Sequence, residues 1–237
     1  MNSLHTNAEI YYFTTAILVA SFGFIFYLYF SESANNVKRL KSSKGEPGYI
    51  LFQRFLGVLI FGIVPVCVIL FKGTKNLDDF GIITPVPETY IWTSFLSVIV
   101  ISINYFNSQT PENLEMYPQI RRNEWSLTLI ILSAISWMIY LLSYEFLFRG
   151  FLFFASVHLI GLWPAIIINT AIYSLVHLPK GIKETTGAIP LGILLCYLTF
   201  KTGSIWVAVF THIIMALSNE WLSIRANPQI SFKTSRK

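Results

Sequence analysis

Apolar residues fall into runs of spanning length separated by short polar stretches, and the runs predict helices. The first run, Tyr11 to Phe30, follows a mostly polar start. About 20 apolar residues are what a helix needs to cross a hydrocarbon core of about 30 Å. The run has neither the basic beginning nor the small-residue cleavage pattern of a signal peptide, so it reads as the first span. Ser31 to Tyr49 is a polar linker with a basic centre, K-R-L-K-S-S-K at 38–44, expected at the surface where it can meet lipid phosphates. The second span runs from Phe55 to Phe71, with Pro65 as a kink of the kind a bundle tolerates. Lys72 to Thr89 reads as a loop. Ile91 to Phe106 is the third span, and its Ser97, Ser102 and Asn104 predict hydrogen bonds to neighbouring helices. Gln109 to Glu124 is polar again, and Trp125 stands where an interfacial anchor is expected.

The second half opens with an almost unbroken apolar run, Leu127 to Ile160. As one straight helix it would measure about 51 Å at 1.5 Å per residue, well beyond the hydrocarbon thickness. It must break, tilt or turn, and Arg149-Gly150 is the predicted break. Trp163-Pro164 opens the next helix, which delivers His177 before the stop Leu178-Pro179-Lys180-Gly181. A short span follows, Ala188 to Phe200. After the turn Lys201-Thr202-Gly203, a last helix from Ser204 carries His212 and Asn219-Glu220. The prediction is an all-α, polytopic transmembrane helix bundle of about eight spans. It divides into an N-terminal three-span region (1–124), a core bundle (125–220) and a basic tail (221–237). With eight spans the basic residues split evenly between the two sides, so the positive-inside rule does not orient them.

Composition supports the membrane reading: 54% of residues are hydrophobic, 12% are charged and the mean hydropathy is +0.59. A soluble domain carries about 25% charged residues. The net charge of +5 lies mainly outside the apolar runs, as expected for loops meeting anionic headgroups. Membrane lipids are therefore the expected partners, and a nucleic acid is not needed to explain the charge. Cys67 and Cys196 both sit in apolar segments, read as small core residues, and suggest neither a disulfide framework nor a thiolate metal site.

Candidate chemistry is concentrated around Ser143 to Gly150, S-Y-E-F-L-F-R-G. A charge at bilayer depth costs roughly 2.5 to 3.5 kcal/mol even on lenient scales, so pairing and function are its default explanations. Glu145 and Arg149, with His177 and His212, come from three helices or helix ends, as facing side chains do in a bundle site. Two chemistries are open. Two imidazoles and a carboxylate could hold a zinc-like ion with a position left for water. The same groups could work without metal, a carboxylate taking a proton from water while an imidazole orients it or stabilises an oxyanion. Plain structural readings stand beside them: Glu145 and Arg149 neutralise each other at i, i+4, His177 caps a helix, and His212 bonds a carbonyl. No H-E-x-x-H arrangement is present, so the metal-free reading is preferred and no cofactor is expected. His158 reads as interfacial.

This pattern resembles the CPBP intramembrane protease family, which includes the CAAX prenyl endopeptidases and bacterial membrane proteins of bacteriocin processing and self-immunity. Its signature is E-E-x-x-x-R, F-x-x-x-H and H-x-x-x-N or H-x-x-x-D. Arg149-Gly150 places the second glutamate on Glu145 and the first on Tyr144; the second part falls on Tyr173 to His177, and the third starts at His212 with Ala216 at its Asn or Asp position. The resemblance implies an intramembrane endopeptidase in a bacterial plasma membrane, hydrolysing a peptide or protein substrate presented at the bilayer. His177 and Glu145 would orient water and His212 would stabilise the oxyanion, these three side chains converging within about 10 Å. The departures keep a second reading open. A phenol of pKa about 10 is a poor base and alanine donates nothing, as expected of a catalytically silent relative acting as a membrane interaction or immunity protein. A small transporter is the third reading, but no inverted repeat supports it.

Overall fold

The computed structural model describes residues 3–36 and 45–233. The basic stretch 38–44 and the end of the tail, 234–237, lie outside the described residues. The rest forms the expected all-α bundle: α1 (Ser3–Asn36), α2 (Pro47–Lys72), α3 (Pro87–Asn107), a short α4 (Pro111–Met116), α5 (Leu127–Ile160), α6 (Leu162–Leu175), α7 (Ile182–Thr202) and α8 (Trp206–Ala226). Five of these rods, α1, α2, α3, α5 and α8, are long and apolar enough to cross a membrane, and α6 is a shorter apolar helix. Large apolar side chains cover the outside, among them Phe71, Leu70, Val98, Phe106 and Ile167. Such a surface belongs in lipid, and the protein is an integral membrane protein.

Two rods contain a π-helical segment. In α2 it spans Val58–Ile63, just ahead of Pro65. Proline offers no N–H and crowds the carbonyl four residues back, so a locally widened turn is how the helix passes it. In α5 the π segment is Phe146–Leu152, at the position where the sequence predicts a break. The rod continues through it, so the chain makes one reversal fewer than the eight-span reading has it. Asn169 on α6 donates to the Phe148 carbonyl at 2.6 Å, a second donor to an oxygen that already accepts from Phe153 N, and ties α6 to the widened turn. Gly150 answers a close approach: a Cβ there would lie 3.0 Å from the Phe80 carbonyl oxygen and 2.8 Å from Phe146 Cδ2. The chain reverses at Gly161 instead, in a conformation with φ of 82° that only glycine adopts without strain.

Ala16 and Ala20 are fully buried where α1 meets the core, and small residues of this kind let helices approach closely. α3 lies along α8, where Asn104 donates to the Met215 carbonyl at 2.7 Å and to Ser218 Oγ at 2.8 Å. Ser97 and Ser102 bond back to carbonyls of their own helix instead. Two short strands, β1 (Glu124–Trp125) and β2 (Ser231–Phe232), pair in parallel and tie the tail to the start of α5. Two local expectations change. Trp125 is 1% exposed and packs with Tyr49, Ile50, Ile120 and Ile224, so it is a core residue, not an interfacial anchor. Cys67 is exposed on α2, while Cys196 is buried.

Candidate active site

The π segment carries the charged pair into the centre of the bundle. Glu145 and Arg149 are both fully buried, with Glu145 Oε2 3.4 Å from Arg149 Nη1. The other carboxylate oxygen, Oε1, lies 2.6 Å from Nδ1 of His212 on α8. An ionised carboxylate only accepts, so Nδ1 carries the proton and Nε2 is left bare. The Arg149 guanidinium stands 4.0 Å over the Tyr173 ring, a cation–π contact that supports a charge away from water. None of its three nitrogens makes a hydrogen bond.

His177 follows the end of α6 and turns its Nδ1 to the Tyr173 carbonyl at 2.8 Å. A carbonyl also only accepts, so His177 too presents a bare Nε2 when neutral. Between the two imidazoles stands Tyr144, its ring centroid 6.4 Å from His177 and 5.7 Å from His212, edge-on to both. Its hydroxyl is buried without a partner. Glu145, Arg149 and His212 thus meet directly, and His177 joins them across Tyr144. His177 and His212 keep 9% and 8% of their surface, whereas Glu145 keeps none. The carboxylate therefore does not face the open space from which water could be activated, and its position suits holding His212.

Metal ligation fits poorly. His212 Nδ1 and Glu145 Oε1 are committed to each other, and among the described residues no three His, Cys, Asp or Glu are grouped to hold an ion. On the outer side of His177, the exposed Lys180 pairs with Glu184 at 3.6 Å. Burial pushes the Tyr117 phenol up, so it stands there as a neutral hydroxyl. His158 is exposed, bonded to the Phe154 carbonyl at 2.5 Å, and takes no part.

A second polar layer lies along the α5–α8 interface toward the start of α5. Glu220 Oε1 accepts from Ser133 Oγ at 2.5 Å, and Oε2 accepts from Trp137 Nε1 at 2.7 Å. Arg54 of α2 reaches Glu220 Oε2 at 3.5 Å, Gln119 Oε1 at 3.1 Å, Ser136 Oγ at 2.6 Å and the Ser133 carbonyl at 3.0 Å. Its guanidinium also covers the Trp137 ring at 4.0 Å. Sequence reasoning missed this layer, although Arg54 beside the apolar run of α2 carries the same signal of an ionisable group at membrane depth. Tyr173 enters the sequence reading only as the opening position of the second signature part, without its contact to Arg149, and Asn169, which holds the π segment, was missed because an asparagine in an apolar helix carries no distinctive spacing.

Residues 127–218 match the family model described as type II CAAX prenyl endopeptidase Rce1-like. No curated protein and no solved structure matches the chain.

Proposed function

We propose, from the match of residues 127–218 to the CAAX prenyl endopeptidase-like family model, that the chain is a metal-free intramembrane endopeptidase in which the base is an imidazole held by a carboxylate. The single observation behind this reading is the 2.6 Å contact of Glu145 Oε1 with His212 Nδ1. A carboxylate that fixes the tautomer and stabilises the imidazolium makes the opposite nitrogen a competent general base. His212 Nε2 takes the proton of a water that His177 Nε2 helps to orient, and the hydroxide adds to the peptide carbonyl. The Tyr144 hydroxyl, which lacks a partner, donates to the oxyanion. The proton then passes from His212 to the leaving amine as the C–N bond breaks. Arg149 keeps Glu145 ionised. The substrate is a peptide or protein segment presented at the bilayer, and kinship with bacterial members favours a bacterial plasma membrane as the location.

The test is turnover of a precursor-peptide library by the full chain in lipid. Cleavage lost in His212→Ala and Glu145→Gln, and reduced in Tyr144→Phe, is the expected result. Elemental analysis showing one divalent ion per chain, lost in His177→Ala, would overturn the metal-free part.

One observation favours a second reading, a catalytically silent membrane interaction or immunity protein: the Tyr144 ring fills the space between the imidazoles where a carboxylate would reach water. Under that reading the folded chain shows no turnover, and Tyr144→Glu, which supplies the carboxylate, is the variant that gains it.

A further inference from the structure

A cleft at the start of α5 takes no part in the proposed chemistry. Arg121, Arg122, Asn123, Glu124, Ser126 and Lys233 give it a polar wall around about 650 Å³. The wall is held by backbone: Lys233 N donates to the Trp125 carbonyl at 2.9 Å, Ser231 N to the Asn123 carbonyl at 2.8 Å, and Arg121 N to the Gly45 carbonyl at 2.6 Å. Arg121 is committed through its guanidinium to the carbonyls of Leu114 and Glu115, and Arg122 pairs with Glu46 while staying half exposed. Beside this wall, with Ile130 next to its lining residue Leu129 and Phe232 next to Lys233, lies an apolar groove of about 350 Å³ lined by Ile130, Trp221, Ile224 and Phe232.

The two cavities match the two ends of one molecule. Arg121, Arg122 and Lys233 stand against Glu124 and the Arg122 partner Glu46, an excess of one positive charge where α5 enters the bilayer, the level at which lipid phosphates lie. The groove then follows α5 and α8 inward, with the half-exposed Trp221 on its wall, as interfacial tryptophans sit at headgroup level. We propose that this cleft holds one anionic phospholipid, its phosphate against Arg121, Arg122 and Lys233 and one acyl chain along Trp221 and Ile224. The charge balance selects an anionic over a zwitterionic lipid, and the groove selects a lipid over a free anion.

The test uses the full chain in phosphatidylcholine vesicles carrying a small fraction of phosphatidylglycerol with brominated chains, read by quenching of tryptophan fluorescence. Quenching should saturate at low phosphatidylglycerol and lose its saturable part in Trp221→Phe. At roughly 1 kcal/mol per basic residue near an anionic surface, Arg122→Gln with Lys233→Gln should weaken that phase roughly 30-fold. Arg122 and Lys233 are at the surface, so the double variant keeps its fold, checked by circular dichroism. Equal quenching by brominated phosphatidylcholine, a saturable phase unchanged in the double variant, or full competition by inorganic phosphate would each overturn the proposal.

Discussion

The two polar layers between α5 and α8 are built from the same materials and finished differently. In the Arg54 layer both Glu220 oxygens accept hydrogen bonds and both terminal nitrogens of Arg54 donate. In the Glu145 layer one carboxylate oxygen, every guanidinium nitrogen of Arg149 and the Tyr144 hydroxyl have no hydrogen-bond partner. Buried polar groups are normally satisfied because an orphan costs about 1 to 3 kcal/mol. The Arg54 layer, where Arg54 Nε is left without a partner while both Glu220 oxygens are taken, has little to offer a ligand and fixes helices in register. An unsaturated one keeps capacity for water or a substrate, and this difference supports the proposal that places the chemistry at the layer around Glu145.

Substitutions at five positions break or sharpen the contrast. The largest effect is expected in Glu145→Gln, which keeps an acceptor but no longer enforces the His212 tautomer. Turnover should fall by about 10⁴, the loss seen when the orienting carboxylate of a triad becomes an amide, and the thermal midpoint should fall as well, because Arg149 stays fully buried without its counter-charge. In the Arg54 layer stability alone is at stake. Removing one partner, Arg54→Ala or Glu220→Ala, leaves a buried charge and should cost about 3 to 5 kcal/mol in unfolding from detergent. The apolar pair Arg54→Met with Glu220→Leu should recover most of that loss, because the desolvation penalty disappears with both charges.

Gly57→Ala strikes the connection between the layers. A Cβ there would come within 2.3 Å of Tyr140 Cε2, and Tyr140 packs against both Trp137 and Tyr144. Overpacking of this kind costs about 1 to 3 kcal/mol, and both stability and turnover should fall. The smallest effect is expected at Ser126, whose hydroxyl accepts from Leu129 N to cap α5. Ser126→Ala should lower stability by about 1 kcal/mol and leave turnover alone, separating helix stability from the site.

Spanning segments are legible in the sequence because about 20 apolar residues in succession have few alternatives to a lipid-crossing helix. Embedded charges are legible for the same reason, and Glu145, Arg149 and His212 do meet. Roles are not, since they depend on direction. Glu145 points at His212 because a π segment begins beside it, and such a segment has no signature in residue type. The excess length of 127–160 suggested a break when the helix absorbed it by local widening. Gly150 resembled a breaker although its missing side chain admits the Phe80 backbone. Arg54 and Glu220 lie 166 residues apart, and nothing local to either one announces the other.

The uninterrupted course of α5 also has a consequence of parity. Removing one reversal gives the bundle an odd number of rods, counting α2 and α5 once each, and sorts the exposed cations by membrane face. Arg121, Arg122, Lys180, Lys183, Arg225 and Lys233 come to the face where α5 begins, and Lys72, Lys75 and Lys201 to the other. An even split becomes a two-to-one imbalance among the described residues, and the positive-inside rule then acts as an address. The face where α5 begins, which also holds Lys180 and Tyr117, thereby becomes the more positive of the two.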